Sequence, residues 1–166
     1  MKDPLETRNK RELKRVVLAN QFADIVCERL NEMRSVEKWR CGAKIGSGRE
    51  AVDLRGKVAG RLVYIEIELR RDEPLTNVVK LWRAIEEDSH TNKVTLVHAF
   101  SGHYPANNTH RLNAEFIGKH MEVSCGVKYV PLSFPFRPRK GTKGTWDYRR
   151  RAAISLASDI RKALQV

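Results

Sequence analysis

The chain has 166 residues and a mass of 19.1 kDa, a length suited to one domain, 1–166, with one substantial core. Its 32 Lys and Arg against 20 Asp and Glu leave a net charge of +12, and 41% of its residues are hydrophobic, which argues against a disordered chain and for a polyanionic partner. No run approaches the roughly 18 apolar residues of a membrane span, and the charged opening MKDPLETRNKRELKR lacks the apolar centre of a secretion signal, so a cytoplasmic protein with no membrane partner is expected.

From Asp3 to about Glu37 the pattern is helical, with Asp3 as N-cap, Pro4 in the first turn, and Leu18, Phe22, Ile25, Val26, Leu30 and Met33 at steps of three and four. A short strand follows between Trp39 and Ile45, and Gly46-Ser47-Gly48 interrupts the chain. Ala51 to Leu54 makes a second short strand, turned by Arg55-Gly56-Lys57 and the nearby Gly60. Arg61 to Arg70 is the clearest strand, with Val63, Ile65, Ile67 and Leu69 on one face and Tyr64, Glu66, Glu68 and Arg70 on the other. Pro74 opens a helix whose expected apolar stripe is Leu75, Val78, Val79, Trp82 and Ile85. Val94 to Phe100 is apolar throughout, as in a strand buried on both faces. Asn107 or Asn108 can cap a third helix that Gly126 ends, Val127 to Phe134 makes another strand, and a basic loop over 135–145 leads to a C-terminal helix over 146–166. The order α-β-β-β-α-β-α-β-α predicts an α/β fold with a mixed central sheet flanked by helices.

Cys27, Cys41 and Cys125 are odd in number and have no C-x-x-C spacing, so reduced thiols are expected and no structural zinc. The positive charge is concentrated. The first 15 residues hold six Lys and Arg against three acids, and a second cluster comprises Arg137, Arg139, Lys140, Lys143, Arg149, Arg150 and Arg151. These side chains are the candidate nucleic-acid contacts, with Trp146 placed beside them to stack on a base.

Alternation sets Glu66 and Glu68 side by side on a strand that composition makes central, where like charges need solvent or a cation to offset them. Asp53 lies one short connection away. Three carboxylates converging there would make a hard, oxygen-rich site suited to Mg²⁺, with Mn²⁺ as substitute. Glu50 either joins that site or solvates the turn. Glu28 and Glu32 lie one turn apart on the first helix, where pairing with Arg29 or Arg34 is the ordinary outcome. His98, inside an apolar strand, is expected to be a hydrogen-bonded core histidine rather than a metal ligand shared with His103, His110 or His120. Trp39, Trp82 and Trp146 are expected in the core, base stacking being the alternative for Trp146.

Gly48-Arg49-Glu50-Ala51-Val52-Asp53, then twelve residues, then Glu66-Ile67-Glu68 resembles the PD-(D/E)xK nuclease superfamily, in a variant D-x12-E-x-E form. That superfamily includes many type II restriction endonucleases, Holliday-junction resolvases and repair nucleases. The resemblance runs from Asp3 through Phe100 and implies a restriction-endonuclease-like αβββαβ core. It implies that Asp53 and Glu66 are metal ligands and that Glu68, which stands where most members carry the catalytic Lys, as in some restriction enzymes, ligates or orients the attacking water. Two other residues can supply that cation: Arg70, if Glu68-Leu69-Arg70 is the triplet, or Lys80, if the group has moved to the following helix. Val52 stands where the family often has Pro.

Together these features predict a Mg²⁺-dependent endonuclease acting on DNA, with RNA as the other polymer, no small-molecule cofactor and, by resemblance, a homodimeric assembly. A non-catalytic DNA- or RNA-binding module on the same fold is the principal alternative, and a nucleoprotein component coating nucleic acid a third.

Overall fold

The computed structural model describes residues 4–33, 37–45, 48, 50–70, 73–87, 93–137 and 145–165. The expected N-cap Asp3, the turn residues Gly46 and Ser47, and the basic residues Arg139, Lys140 and Lys143 lie outside the described residues.

Apolar spacing winds the first segment into α1, Pro4–Glu32, whose inner stripe is Phe22, Ala23, Val26, Cys27 and Leu30. The helix ends before the expected Glu37 because Asn31 turns to the backbone of Trp39. Its Oδ1 accepts from Trp39 N at 2.8 Å and its Nδ2 donates to Trp39 O at 3.2 Å. A side-chain amide thus takes the place of a neighbouring strand along the sheet edge, where backbone groups need partners.

Three antiparallel strands follow: β1, Glu37–Lys44, β2, Ala51–Val58, and β3, Arg61–Glu68. Helix α2, Leu75–Glu87, then leads to β4, Val94–Ser101, and α3, Thr109–Cys125, leads to β5, Lys128–Phe134; both new strands add parallel to the last. The chain closes with α4, Thr145–Leu164. The sheet order is β1-β2-β3-β4-β5, a mixed five-stranded sheet as the order of elements predicted.

That order fixes which face each helix covers. From β3 to β5 the chain advances one way across the sheet, so right-handed crossovers deliver α2 and α3 to the same face. There Val78, Leu81, Ala114 and Met121 pack on Tyr64, Leu96 and Tyr129. The other face is closed by α1 and α4, where Phe22, Val26, Ala153 and Leu156 meet Leu54, Val63, Ile65 and Val97. Every residue of β4 is buried, as its unbroken apolar run implied. Among the described residues no helix is long and apolar enough to cross a membrane.

Other expectations shift. The chain does not turn at Arg55-Gly56-Lys57, which continues β2 to Val58; the turn to β3 is made by Ala59 and Gly60, both at positive φ. The buried face of α2 is Asn77, Val78, Leu81, Ala84 and Ile85, with Val79 exposed and Trp82 half-buried. The helix has rolled from the most apolar stripe toward one carrying Asn77, because β3 opposite presents carboxylates. Trp39 is in the core as expected, whereas Trp146 is exposed at the start of α4. Asn108 caps α3, its side chain accepting from Arg111 N at 3.1 Å, and Gly126 ends the helix at φ +67°. Within α3, Gly118 lies against the Tyr129 ring, where a Cβ would fall 2.5 Å from it, and this close approach seats Tyr129 beneath the helix.

Candidate active site between β2, β3 and α2

The alternation of β3 separates its side chains cleanly. Val63, Ile65 and Ile67 enter the α1–α4 core, while Tyr64, Glu66 and Glu68 face α2. Glu66 is 1% exposed and Glu68 0%, so neither belongs to the solvated outer face that alternating acids ordinarily make. Helix α2 runs back along β3, which reverses the order of partners. Asn77, near its start, donates to Glu68 Oε1, and Lys80, one turn later, brings Nζ to 2.7 Å from Glu66 Oε1. The contact is a buried ion pair at hydrogen-bonding distance.

The ladder between β2 and β3 runs from Val58–Arg61 to Leu54–Ile65. One step further the register would set Asp53 opposite Glu66, and there the Asp53 side chain intervenes, its Oδ2 accepting from Ile67 N at 2.7 Å. A backbone donor at the mouth of the strand pair thereby fixes a half-buried carboxylate beside a buried one. Burial pushes the Glu66 carboxyl up to about 8, and the charge of Asp53 adds to this; Lys80 pulls the other way, and Glu68 contributes a further, smaller rise. Between neutral pH and that value the group is poised between its protonated and ionised forms.

Glu68 belongs to a separate buried network. His98 Nε2 lies 3.1 Å from Glu68 Oε1 and His98 Nδ1 lies 3.0 Å from Tyr129 Oη. Burial pushes the Tyr129 phenol upward, so it remains a neutral O–H donor. A carboxylate only accepts, so the network assigns the imidazole proton to Nε2, and Nδ1 accepts from Tyr129. His98 is thus the hydrogen-bonded core histidine expected of it. Replacing Tyr129 with Phe leaves Nδ1 buried without a donor and should lower stability by about 1–3 kcal/mol in a denaturant titration. An unchanged midpoint would show that the hydroxyl contributes nothing to this network.

The other sequence candidates are placed as follows. Glu50 pairs with Arg83 of α2, both side chains being partly open to solvent. Arg70 is exposed on the bend after β3 ends. Lys80, of the two candidate cations, is therefore the one in contact with Glu66. Glu28 is exposed, and Glu32 pairs with Arg29 at 2.7 Å. His103, His110 and His120 are exposed. Arg137 is exposed and its Nε donates to Gly102 O at 2.7 Å, just past the carboxyl end of β4, the end of the sheet where Glu66 and Glu68 lie. Tyr148 donates to Pro135 O at 2.7 Å, bringing the start of α4, with half-buried Arg149 and exposed Arg150 and Arg151, against the Arg137 segment.

Asn77 and Tyr129 were not anticipated. Asn77 carries no apolar signal, but it lies three residues before Lys80 and so shares its helix face, a spacing that could have marked it. Among the described residues, no three His, Cys, Asp or Glu side chains gather as a metal-holding group, because Glu68 and Glu50 are drawn to other partners. The donor set that remains is Asp53 and Glu66, two hard carboxylates. Mg²⁺ is commonly held by one or two carboxylates completed by waters and substrate phosphate, so the pair suits that ion. Compared with protein-family models, curated proteins and solved structures, the chain matches none of them.

Proposed function

We propose that this protein is a Mg²⁺-dependent nuclease that hydrolyses phosphodiester bonds, in DNA first and RNA second, on a restriction-endonuclease-like fold. The observation that carries the proposal is the convergence of Asp53 and Glu66 at the end of the β2–β3 ladder, with the Lys80 ammonium 2.7 Å from Glu66. Two carboxylates beside one cation, on a chain of net charge +12, are groups suited to a phosphate and an attacking water. The resemblance of Asp53, Glu66 and Glu68 to the PD-(D/E)xK pattern supports the same function.

In this proposal Asp53 and Glu66 hold the metal, with Mn²⁺ as substitute, and the ion supplies an activated water and neutralises charge developing on phosphate. The hydrogen bond from Ile67 N keeps Asp53 oriented toward it. Lys80 faces the scissile phosphate and favours the ionised form of Glu66. Glu68, in the position where the superfamily usually places Lys, is tied to Asn77 and His98 and fixes the end of β3 rather than touching substrate. Arg137 and Arg149–Arg151 steer the polymer, and a homodimer would let two such sites cut both strands.

The ion pair itself favours one second reading, because Lys80 could serve only to compensate Glu66. The chain would then be a non-catalytic nucleic-acid-binding module. Supercoiled plasmid and labelled single strands, incubated with Mg²⁺, Mn²⁺ or EDTA beside Asp53→Asn, discriminate the two. Metal-dependent cutting that the variant lacks supports the nuclease. Retained binding with no cutting of any substrate supports the module.

A further inference from the structure

Along β2, Arg55 and Lys57 lie opposite Tyr64 and Leu62 of β3, on the sheet face that α2 covers. The register sets Arg55 directly beside Arg40 of β1 on one side and Tyr64 of β3 on the other. Tyr64 is two residues before Glu66 on the same face of β3. The Arg40–Arg55 row therefore adjoins the Asp53–Glu66 row, about 6.5 Å away along the strands.

The opposite side of this hairpin is closed. Trp39, Leu54 and Val58 enter the core with α1, and the Trp39 ring lies on Gly56, where a Cβ would fall 2.5 Å from it. On the α2 side the buried core reaches Tyr64; beyond it along the row Arg55 is half-buried and Arg40 exposed, and Lys57 is exposed in the next row. Arginines directly opposite one another on adjacent strands repel, so the hairpin bears an unfavourable pair that a polyanion lying across it would relieve.

We infer that the open face of the β1–β2 hairpin, centred on Arg40 and Arg55, is a track for the phosphodiester backbone of a nucleic-acid strand. The track leads into the Asp53–Glu66 site, and only this connection rests on the nuclease proposal. It is separate from the Arg137 and Arg149–Arg151 region. Its cations contact phosphates rather than base edges, so it binds without regard to sequence.

The test is fluorescence anisotropy of labelled single-stranded and duplex oligonucleotides over a NaCl series in EDTA. The proteins are wild type, Arg40→Gln/Arg55→Gln, and Lys93→Gln/Lys128→Gln, which removes equal charge at the amino ends of β4 and β5. The hairpin variant should bind about tenfold more weakly at ~0.15 M salt, and its slope of log affinity against log salt should fall by about 0.7–0.9 per lost contact. Its thermal midpoint should be unchanged or higher, since a repulsive pair has gone. An unchanged slope in the hairpin variant overturns the track, and so does equal weakening in both double variants, which would mean net charge alone acts. The two proposals fail separately. Binding that depends on the hairpin without any cleavage removes the nuclease and keeps the track, whereas cleavage with an unchanged slope does the reverse.

Discussion

Glu66→Gln should raise the thermal midpoint by an amount that grows from about pH 5 to about pH 8 and, in the same protein, reduce Mg²⁺-dependent cleavage by about a thousandfold. The stability half follows from proton linkage. The Glu66 carboxyl is raised from 4.5 to about 8 in the folded chain, so between those values the folded state keeps a proton that the unfolded state has lost. The favourable state is fully present below the unfolded value and disappears as pH rises through the folded one. Over that window wild-type stability should fall by about 5 kcal/mol, at about 1.4 kcal/mol for each unit of the shift. Gln has no proton to lose and imitates the neutral carboxyl, so the variant's curve should be flatter. Below about pH 7 Lys80 faces a largely uncharged partner in either protein, and Asp53 and Glu68 are unchanged. Midpoints measured from about pH 5 to pH 9 should therefore diverge progressively from about pH 5 and run parallel again above about pH 8. Curves parallel throughout would mean that Glu66 ionises freely, contrary to its burial.

Magnesium extends the same linkage. A carboxylate must release its proton to hold the ion, so Mg²⁺ should raise the wild-type midpoint more at about pH 8 than at pH 6 and should have little effect on Glu66→Gln. A group costly to ionise in the free protein is one that a divalent cation would stabilise strongly when it binds. The residue that weakens the folded state at higher pH would then be the one on which hydrolysis depends, which is why one substitution moves stability and activity in opposite directions.

Much of this arrangement was legible before any coordinates. The strict alternation from Arg61 onward placed Glu66 and Glu68 on one face of β3, and the uniformly apolar Val94–Phe100 marked a strand covered on both sides. Burial of the two acids was harder to foresee, since alternation alone does not distinguish a helix-covered face from a wet one. It became clear only when α2 was placed over β3. The identity of the cation was illegible for a related reason. Arg70 is near Glu68 in sequence, but the strand ends at Glu68 and the bend carries Arg70 outward, while Lys80 returns by way of a helix that reverses direction. Glu50 was similarly ambiguous, since Arg83, its partner, is 33 residues away. Local periodicity records which side chains share a face. Which face meets which helix depends on connections between distant segments, and there the hydrophobic pattern misplaced the α2 stripe by favouring Val79 over Asn77.

Lys80→Ala separates a catalytic cation from a structural one. If Lys80 acts on substrate, its removal should lower kcat by about 10²–10³-fold, a size typical of losing a preorganised charge at a phosphoryl centre. Its removal also takes away the group that holds the Glu66 carboxyl down, so the rising limb of the pH–rate profile should move to higher pH. Stability should respond differently from the loss of an ordinary buried ion pair, which costs about 3–5 kcal/mol by stranding a charge. Below about pH 8 Glu66 can keep its proton and avoid being stranded, so the midpoint should change little there and fall only at higher pH. Lys80→Arg retains the charge and should recover part of the rate. Arg70→Ala should leave both rate and profile as in the wild type, because Arg70 is exposed beyond the end of β3. A large loss of rate in Arg70→Ala with none in Lys80→Ala would transfer the cation's role to the strand end. A lowered midpoint in Lys80→Ala at every pH, with cleavage intact, would make the Lys80–Glu66 pair a purely structural contact.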